Sequence, residues 1–566
     1  MRRPPADATA LVAVHLVIAL GAFACGWYVH TQATPLPLID EWGLLHEWAD
    51  RGSVWEWVWR HHNDHRYPLT KCLWMACLHV TGFRFDFPQY FSVGLMASAA
   101  ILVAWTARGL RGRARLLDVL PASLLLHFGH GLSWLMGYQF GFALAVYSLV
   151  GWLWCAGRLH NGAGQGWAVL SGLYVTVVVL CGGFGIAFTP PAALWFCYLA
   201  RTAFAGGRRF VGATFVSWAV AILGYGIWAT LTTSATLSAG NSPIRQPVEF
   251  FAIFGGYLTA AVGPWPAWPA PPAYRIAAGA LVSIAYLAGG LALLRTAFRR
   301  PLPTAVALVV LGTLLTGAAT AYSRPGALLD RYAAFSGCGL IALYLLVVAA
   351  RVRTTSRRVV GGATVAGLLL SAGVFWLNEQ AGMTVAQAFR YPSDDTLRDL
   401  LAGDPPMVLG GRYAGVLNVL RPSFAEDLRA CRREGIPPFA KMTPDPPFVP
   451  RPVAGITVPV KWECSAEAFT AGQVPSLALP DPPARAFALR LKADYSQQRV
   501  RSKVLLRWKD HDTGAERSAV VHPAIFPARM IHVFPFGPRA TSLVLTLGGA
   551  VEDIAMSEFE WLMPME

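Results

Sequence analysis

Charge is scarce in this chain. Of its 566 residues only 14% are Asp, Glu, Lys or Arg, 55% are hydrophobic, and the mean hydropathy is +0.43. Average soluble domains carry about 25% charged residues, so this balance excludes an ordinary soluble enzyme and indicates a polytopic membrane protein. Cysteine is sparse as well. Nine residues form no CxxC pair and lack the density of a disulfide scaffold. Seven lie in or beside apolar runs, as small core residues do. Cys431 and Cys464 lie in the polar C-terminal part, where an oxidising outer compartment permits a bridge between them. No internal repeat is present.

Acidic residues are the rarer charge, 32 against 47 Lys and Arg, which leaves a net charge of +15. The excess does not point to nucleic acid, because it falls in short clusters between apolar runs: Arg108 to Arg115, Arg201 to Arg209, Arg295 to Arg300 and Arg351 to Arg358. By the positive-inside rule these loops are cytoplasmic. The apolar runs themselves predict eleven crossings, at 9–28, 88–107, 116–131, 135–157, 167–182, 184–200, 210–230, 274–294, 303–322, 332–350 and 359–377. The run at 248–264 reads as a re-entrant or interfacial helix, because a full crossing there would put an Arg cluster outside. With the N-terminus inside, the outer face receives the loop 29–87, the segment 231–273, the turn 321–332 and everything after about 378.

The fold class expected is therefore an all-α polytopic membrane domain over 1–378, followed by an extracytoplasmic domain over 379–566. That tail opens with helical pieces at Thr396–Leu401 and Phe424–Arg433 and passes through a Pro-rich stretch. It then alternates with a period of two, with Phe487, Leu489 and Leu491 on one face of one segment and Leu543, Leu545 and Leu547 on one face of another. This predicts a β-rich sandwich or jelly-roll-like fold.

The stretch PLIDEWGLLHEWADRGSVWEWVWRHHNDHRYPLTK, residues 36–71, is unlike the rest. Trp48, Trp55, Trp57 and Trp59 suit helices lying in the membrane interface. The pair Asp40-Glu41 does not gain from lipid. Both helix capping by Asp40 and chemistry fit it. Two or more of His61, His62 and His65 on one helical face would suit a metal, although no third ligand is identifiable; hydrogen bonding and phosphate contacts fit His62, Asn63 and His65 better. Arg66 and Lys71 can hold a phosphate, one by its planar fork and the other as a point charge, or simply reach toward headgroups.

Four elements in this order, DEW after the first span, HNDHR before the second, WLMGYQFGFAL opening a later one and SRPGALLDRYAAFS near the end, resemble bacterial GT-C-fold glycosyltransferases over about residues 9–380. The chain carries HNDHR where the family more often has Glu, and DRY where Ser often precedes Arg. The resemblance implies transfer of a sugar from a polyprenyl-phosphate donor to a glycan or lipid acceptor of the cell envelope, at the outer face of the bacterial inner membrane. It implies Asp40 as the base that deprotonates the acceptor, and Arg324, Arg331, Arg66 and Lys71 as ligands of the donor phosphate. It further implies Glu41, His62, Asn63, His65, Tyr138, Gln139 and Tyr332 as substrate contacts. No resident cofactor is implied, though a divalent metal is compatible with the pattern. Gly182, Gly183 and Gly185 mark a tight turn, read first as close helix packing and second as a backbone approach to lipid phosphate. Two other functions compete. A transporter or flippase of lipid-linked saccharides needs polar residues through the bilayer midplane, and few are present. An O-antigen polymerase or ligase needs a large outer loop between late spans, whereas the largest internal one here comes first.

Overall fold

Pro5–Gln32 forms α1, which stops ahead of Pro35 and Pro37, residues that cannot donate the amide bonds of a further turn. The structure is a computed structural model and describes residues 5–62, 65–232, 246–262, 272–294, 298–323, 332–349, 357–417, 424–445, 448–454, 460–464, 476–483, 486, 488–495, 504–510, 515–521, 528–535, 540–547 and 551–564. Two short helices follow, α2 (Asp40–Ala49) and α3 (Val54–Trp59). Next come α4 (Pro68–Val80) and α5 (Phe87–Arg111), each with proline in its first turn, where its missing N–H costs nothing. Gly112, at φ +77°, closes α5 in the left-handed conformation that glycine adopts without penalty.

The expected crossing at 116–131 is not one helix. It is a 3-10 turn (Leu116–Val119), α6 (Leu120–Leu125) and a second 3-10 turn (Phe128–His130), followed by α7 (Leu132–Leu135). The His127 ring accepts the Gly129 amide at 3.0 Å and so caps a new turn, which interrupts the helical ladder. Beyond it lie α8 (Phe140–His160), α9 (Gly166–Leu180), α10 (Gly183–Ala187), α11 (Thr189–Ala205), α12 (Arg209–Leu231) and α13 (Pro247–Thr259). The helical part ends with α14 (Pro272–Leu294), α15 (Pro301–Ser323), α16 (Ala333–Ala349), α17 (Arg357–Leu401), α18 (Pro406–Leu417) and α19 (Phe424–Arg433).

Among the described residues, five helices are long and apolar enough to cross a membrane: Asp7–Gln32, Phe87–Arg111, Gly137–His160, Arg209–Leu231 and Pro301–Tyr322. Of the six other expected runs, 274–294 lies in the 23-residue α14 and 359–377 lies within α17, while the rest fall on short or divided helices. Helices α9 and α16 have 15 and 17 residues, short of the roughly 20 that span a hydrocarbon core. The run 184–200 is divided at Phe188 between α10 and α11. Helix α13 has 13 residues, about 20 Å of rise, too little for a crossing. Helix α17 continues past 377, where the last expected span ends.

The chain forms two compact units. The first comprises Met1–Ala33, Val58–Thr81 and Asp86–Ala386; the second comprises Thr34–Trp57, Gly82–Phe85 and Gln387–Glu566. In the first, α8 is the most buried of the five long helices and α1 the least. Small residues allow close approach there. A Cβ on Gly279 of α14 would lie 2.1 Å from the Gly255 Cα of α13, so the two backbones touch. Buried charge is paired: Arg111 meets Asp118 at 2.5 Å, and Asp7 accepts the Ala114 amide at 2.6 Å.

In the second unit α2 packs on α19, and two antiparallel sheets follow. The strands are β1 (Phe448–Pro452), β2 (Val460–Cys464), β3 (Ser476–Ala478), β4 (Ala488–Tyr495), β5 (Val504–Asp510), β6 (Glu516–Val521), β7 (Ala528–Pro535), β8 (Ala540–Leu547) and β9 (Val551–Pro564). One sheet runs β1-β9-β4-β7 with β2 also on β9, and the other runs β3-β8-β5-β6. The 14-residue β9 pairs with β1 through one half and β2 through the other, which makes it the spine of its sheet. Leu489 and Leu491 of β4, and Leu543 and Leu545 of β8, are buried on alternate positions, as the sequence period requires. The bridge that the sequence permits between Cys431 and Cys464 is not made by Cys431. Cys431 is a free thiol, fully enclosed on the inner side of α19 with Leu428 and Ala430, and burial pushes its pKa up.

Candidate functional site

The residues Thr34 to Glu41 enter α2 as a tightly held turn. The Thr34 hydroxyl accepts the Leu36 amide and donates to the Leu36 carbonyl, both at 3.1 Å. Ile39 then takes φ +46° and ψ −106°, a conformation that a β-branched residue rarely adopts. Asp40 is the first residue of α2 and is 6% exposed. The reading in which Asp40 caps a helix starting at Glu41 is therefore corrected: the cap position belongs to Ile39, whose side chain makes no capping bond. Glu41 is fully buried, and its Oε2 accepts the Leu38 amide at 2.9 Å.

The rest of α2 is fixed by aromatic and charged contacts inside the same unit. The Trp42 ring meets Phe424 edge-on at 4.6 Å and lies 5.2 Å from Phe439. The His46 ring lies 3.0 Å from Asp50 and 3.1 Å from Asp427. Arg51 sits 3.7 Å over the Trp48 ring and pairs with Glu434 at 3.2 Å. Trp48 and Trp57 stand edge-to-face at 5.0 Å, and both are buried. The interfacial reading of the four tryptophans is corrected for these two, which are core residues; Trp55 is 71% exposed.

Of the HNDHR element, His62, His65 and Arg66 are described, and they lie in the first unit outside any helix. His62 and His65 exchange both backbone hydrogen bonds, at 2.9 and 3.2 Å, as an isolated antiparallel bridge. The idea of histidines sharing a helical face for a metal fails on this geometry, and among the described residues no group of three or more His, Cys, Asp or Glu is placed to hold an ion. The rings instead gather around Tyr67. It lies 6.4 Å from His62, 6.2 Å from His65 and 5.5 Å from Tyr138, while Tyr138 is 6.0 Å from His62. The glycine turn makes room for them: a Cβ on Gly182 would sit 2.6 Å from the Tyr67 ring, and one on Gly183 would sit 2.4 Å from the His65 ring. Thr70 donates to the Cys181 carbonyl at 2.7 Å and ties α4 to the same turn.

Lys71 and Arg66 are both engaged. Lys71 is fully buried, and its Nζ donates to the Arg60 carbonyl at 2.9 Å. Arg66 donates from Nε to the Trp59 carbonyl at 2.9 Å, bonds the Thr232 hydroxyl, and stacks 4.1 Å over Trp228. Partial burial lowers its pKa, and the nearby Tyr225 opposes the shift. Gln139 is buried, with Nε2 toward the Met136 sulfur at 3.5 Å and Oε1 unbonded. Tyr332 is buried, 6.0 Å from Phe142 and 6.2 Å from Tyr257. Asn63, Arg324 and Arg331 lie outside the described residues. Tyr67 and Thr70, which organise this cluster, were not singled out by the sequence; Tyr67 follows HNDHR directly, and that adjacency was the one available signal.

No protein-family model matches the chain, and no curated protein sequence matches it. Solved structures resemble it at low identity. The archaeal oligosaccharyltransferase AglB of Archaeoglobus fulgidus, solved with an inhibitory peptide and a dolichol-phosphate, is 13% identical over 69% of this chain, at a TM-score of 0.37. The chain spans 58% of the length of that protein. ArnT of Cupriavidus metallidurans, bound to undecaprenyl phosphate, is 15% identical over 75% of this chain and 73% of its own, at a TM-score of 0.35. The arabinosyltransferase EmbB of Mycobacterium smegmatis is 10% identical over 98% of this chain and 64% of its own, at a TM-score of 0.33.

Proposed function

We propose that this protein is a multi-pass glycosyltransferase of the bacterial inner membrane, which moves a sugar from a polyprenyl-phosphate donor to a glycan or lipid acceptor of the cell envelope with inversion. The N-terminus is cytoplasmic in this reading, and the C-terminal domain faces the periplasm. Asp40 is the general base. It takes the proton of an acceptor hydroxyl while that oxygen attacks the anomeric carbon; the bond from that carbon to the phosphate oxygen breaks, and polyprenyl phosphate leaves as an anion. The leaving phosphate needs positive charge rather than a proton, a task for Arg324 and Arg331. The observation that carries the reading is the setting of Asp40: a largely buried carboxylate at the first position of α2, in a turn where another residue occupies the cap.

The test is transfer of radiolabelled sugars from a panel of undecaprenyl-phosphate donors by purified protein. Asp40→Asn keeps the shape but cannot take a proton, so turnover falls by about a hundredfold or more while the fold persists. Transfer by this variant at the wild-type rate would return Asp40 to a structural role.

A further inference from the structure

Glu41 grips both backbone polar groups of Leu38. Its own amide donates to the Leu38 carbonyl at 3.0 Å, and its Oε2 accepts the Leu38 amide at 2.9 Å. The closed loop formed by these two bonds contains just two residues between its ends, Ile39 and Asp40. Ile39 is the residue held at φ +46°, in the region that β-branched side chains avoid. One turn further on, Trp42 is fixed between Phe424 and Phe439. The start of α2 is thus held on one side by an aromatic anchor and on the other by a buried carboxylate, and the strained peptide lies between them.

We infer that Glu41 is a positioning residue for Asp40: its carboxylate clamps Leu38, which keeps Ile39 in the left-handed conformation and sets the direction in which Asp40 leaves the backbone. The inference rests on the proposed role of Asp40 as base, and it replaces the substrate contact expected of Glu41. A fully buried carboxylate already bonded to a backbone amide is badly placed to bind sugar, and well placed to hold a turn. Without the side-chain bond the loop keeps only its main-chain bonds, from the Glu41 amide to the Leu38 carbonyl at 3.0 Å and from the Trp42 amide to the Ile39 carbonyl at 3.3 Å, and φ at Ile39 relaxes to negative values. The Cα–Cβ bond of Asp40 then swings away from its productive direction. A misdirected base slows the step in which the proton moves, and leaves the affinity for either substrate as it was.

Three variants of the full chain in detergent test this, with Asp40→Asn assayed beside them. Glu41→Ala should lower kcat by about twentyfold or more with KM for donor and acceptor within about twofold, whereas Glu41→Gln, which keeps an oxygen for the Leu38 amide, should lose no more than about threefold. Adding Ile39→Gly to Glu41→Ala should recover about fivefold of the loss, because glycine holds a positive φ without a clamp. Hydrogen exchange of the peptide containing the Leu38 amide should quicken in Glu41→Ala and stay near wild type in Glu41→Gln. A rise in KM that Ile39→Gly does not reverse would mean that Glu41 touches substrate, and would overturn the inference. Unchanged exchange in Glu41→Ala would overturn the clamp by itself, whatever Asp40 does. Full turnover by Asp40→Asn would instead remove the base, and the positioning role with it, while the exchange result still shows whether the clamp exists.

Discussion

Trp42 and Phe424, separated by most of the chain, meet edge-on with ring centroids 4.6 Å apart. Both are buried, and both belong to the second unit, so the segment that carries Asp40 is a structural part of the C-terminal region. Trp42→Ala removes a fully enclosed indole from between Phe424 and Phe439. Deletions of this kind cost about 3 to 5 kcal/mol, because the cavity collapses only in part. Limited proteolysis of the detergent-solubilised protein should show the second unit cleaved faster in this variant. Transfer activity should fall with it, since α2 loses its anchor. Proteolysis at the wild-type rate would mean that α2 is held by other contacts.

Gly183 admits the His65 ring where a Cβ would intrude to 2.4 Å. Gly183→Ala therefore has to push His65 off Tyr67, and through it disturb Tyr138. If the cluster shapes the site, transfer falls by about tenfold or more, within the range that small misplacements of catalytic groups produce. The clash is specific, so a double-mutant cycle identifies it. Combining Gly183→Ala with His65→Ala should do less harm than the two separate losses added together, because the second change empties the space that the first one needs. Strict additivity would show that glycine serves the turn alone.

The elements that the sequence made legible are those with a strong local period. The alternation of Leu489 with Leu491 and of Leu543 with Leu545 foretold β4 and β8, and the amphipathic run from Phe424 to Arg433 foretold α19 with the same bounds. Long apolar runs foretold α1, α5, α12 and α15 within a few residues. The misses share a cause. His127 interrupts an apolar run with a side-chain cap, and Trp48 and Trp57 look interfacial until a partner buries them; neither fact is local in sequence. At the site, the acidic pair drew attention through its composition. The different settings of Asp40 and Glu41 go with a positive φ at Ile39, which no pattern of residue types encodes.

The basic clusters make orientation testable. If Arg108 to Arg115, Arg201 to Arg209, Arg295 to Arg300 and Arg351 to Arg358 all face the cytoplasm, a phosphatase fused after Glu566 should be active and a fluorescent protein fused there dark. Fusions near Gly162 report on another loop, between α8 and α9, and add an independent check. The opposite result at the C-terminus would place the second unit, and Asp40 within it, on the inner face.

Arg111 and Asp118 test whether one of those clusters is more than a topology signal. The guanidinium approaches the carboxylate at 2.5 Å; Asp118 also accepts the Arg115 amide at 2.9 Å and bonds the Tyr344 hydroxyl. Both partners are nearly enclosed, with side-chain exposures of 11% and 1%. Removing one partner of such a pair leaves an uncompensated charge out of water, which costs about 3 to 5 kcal/mol, far more than the pair adds relative to apolar neighbours. Asp118→Ala should therefore lower the thermal midpoint in detergent by several degrees, and Arg111→Met combined with Asp118→Leu should restore most of it. A role limited to headgroup contact predicts the reverse order: Asp118→Ala would be nearly neutral, and the double variant, which deletes an arginine, would be the more damaging of the two. Thermal unfolding of the three proteins side by side decides between a buried structural pair and a surface charge whose function is orientation alone.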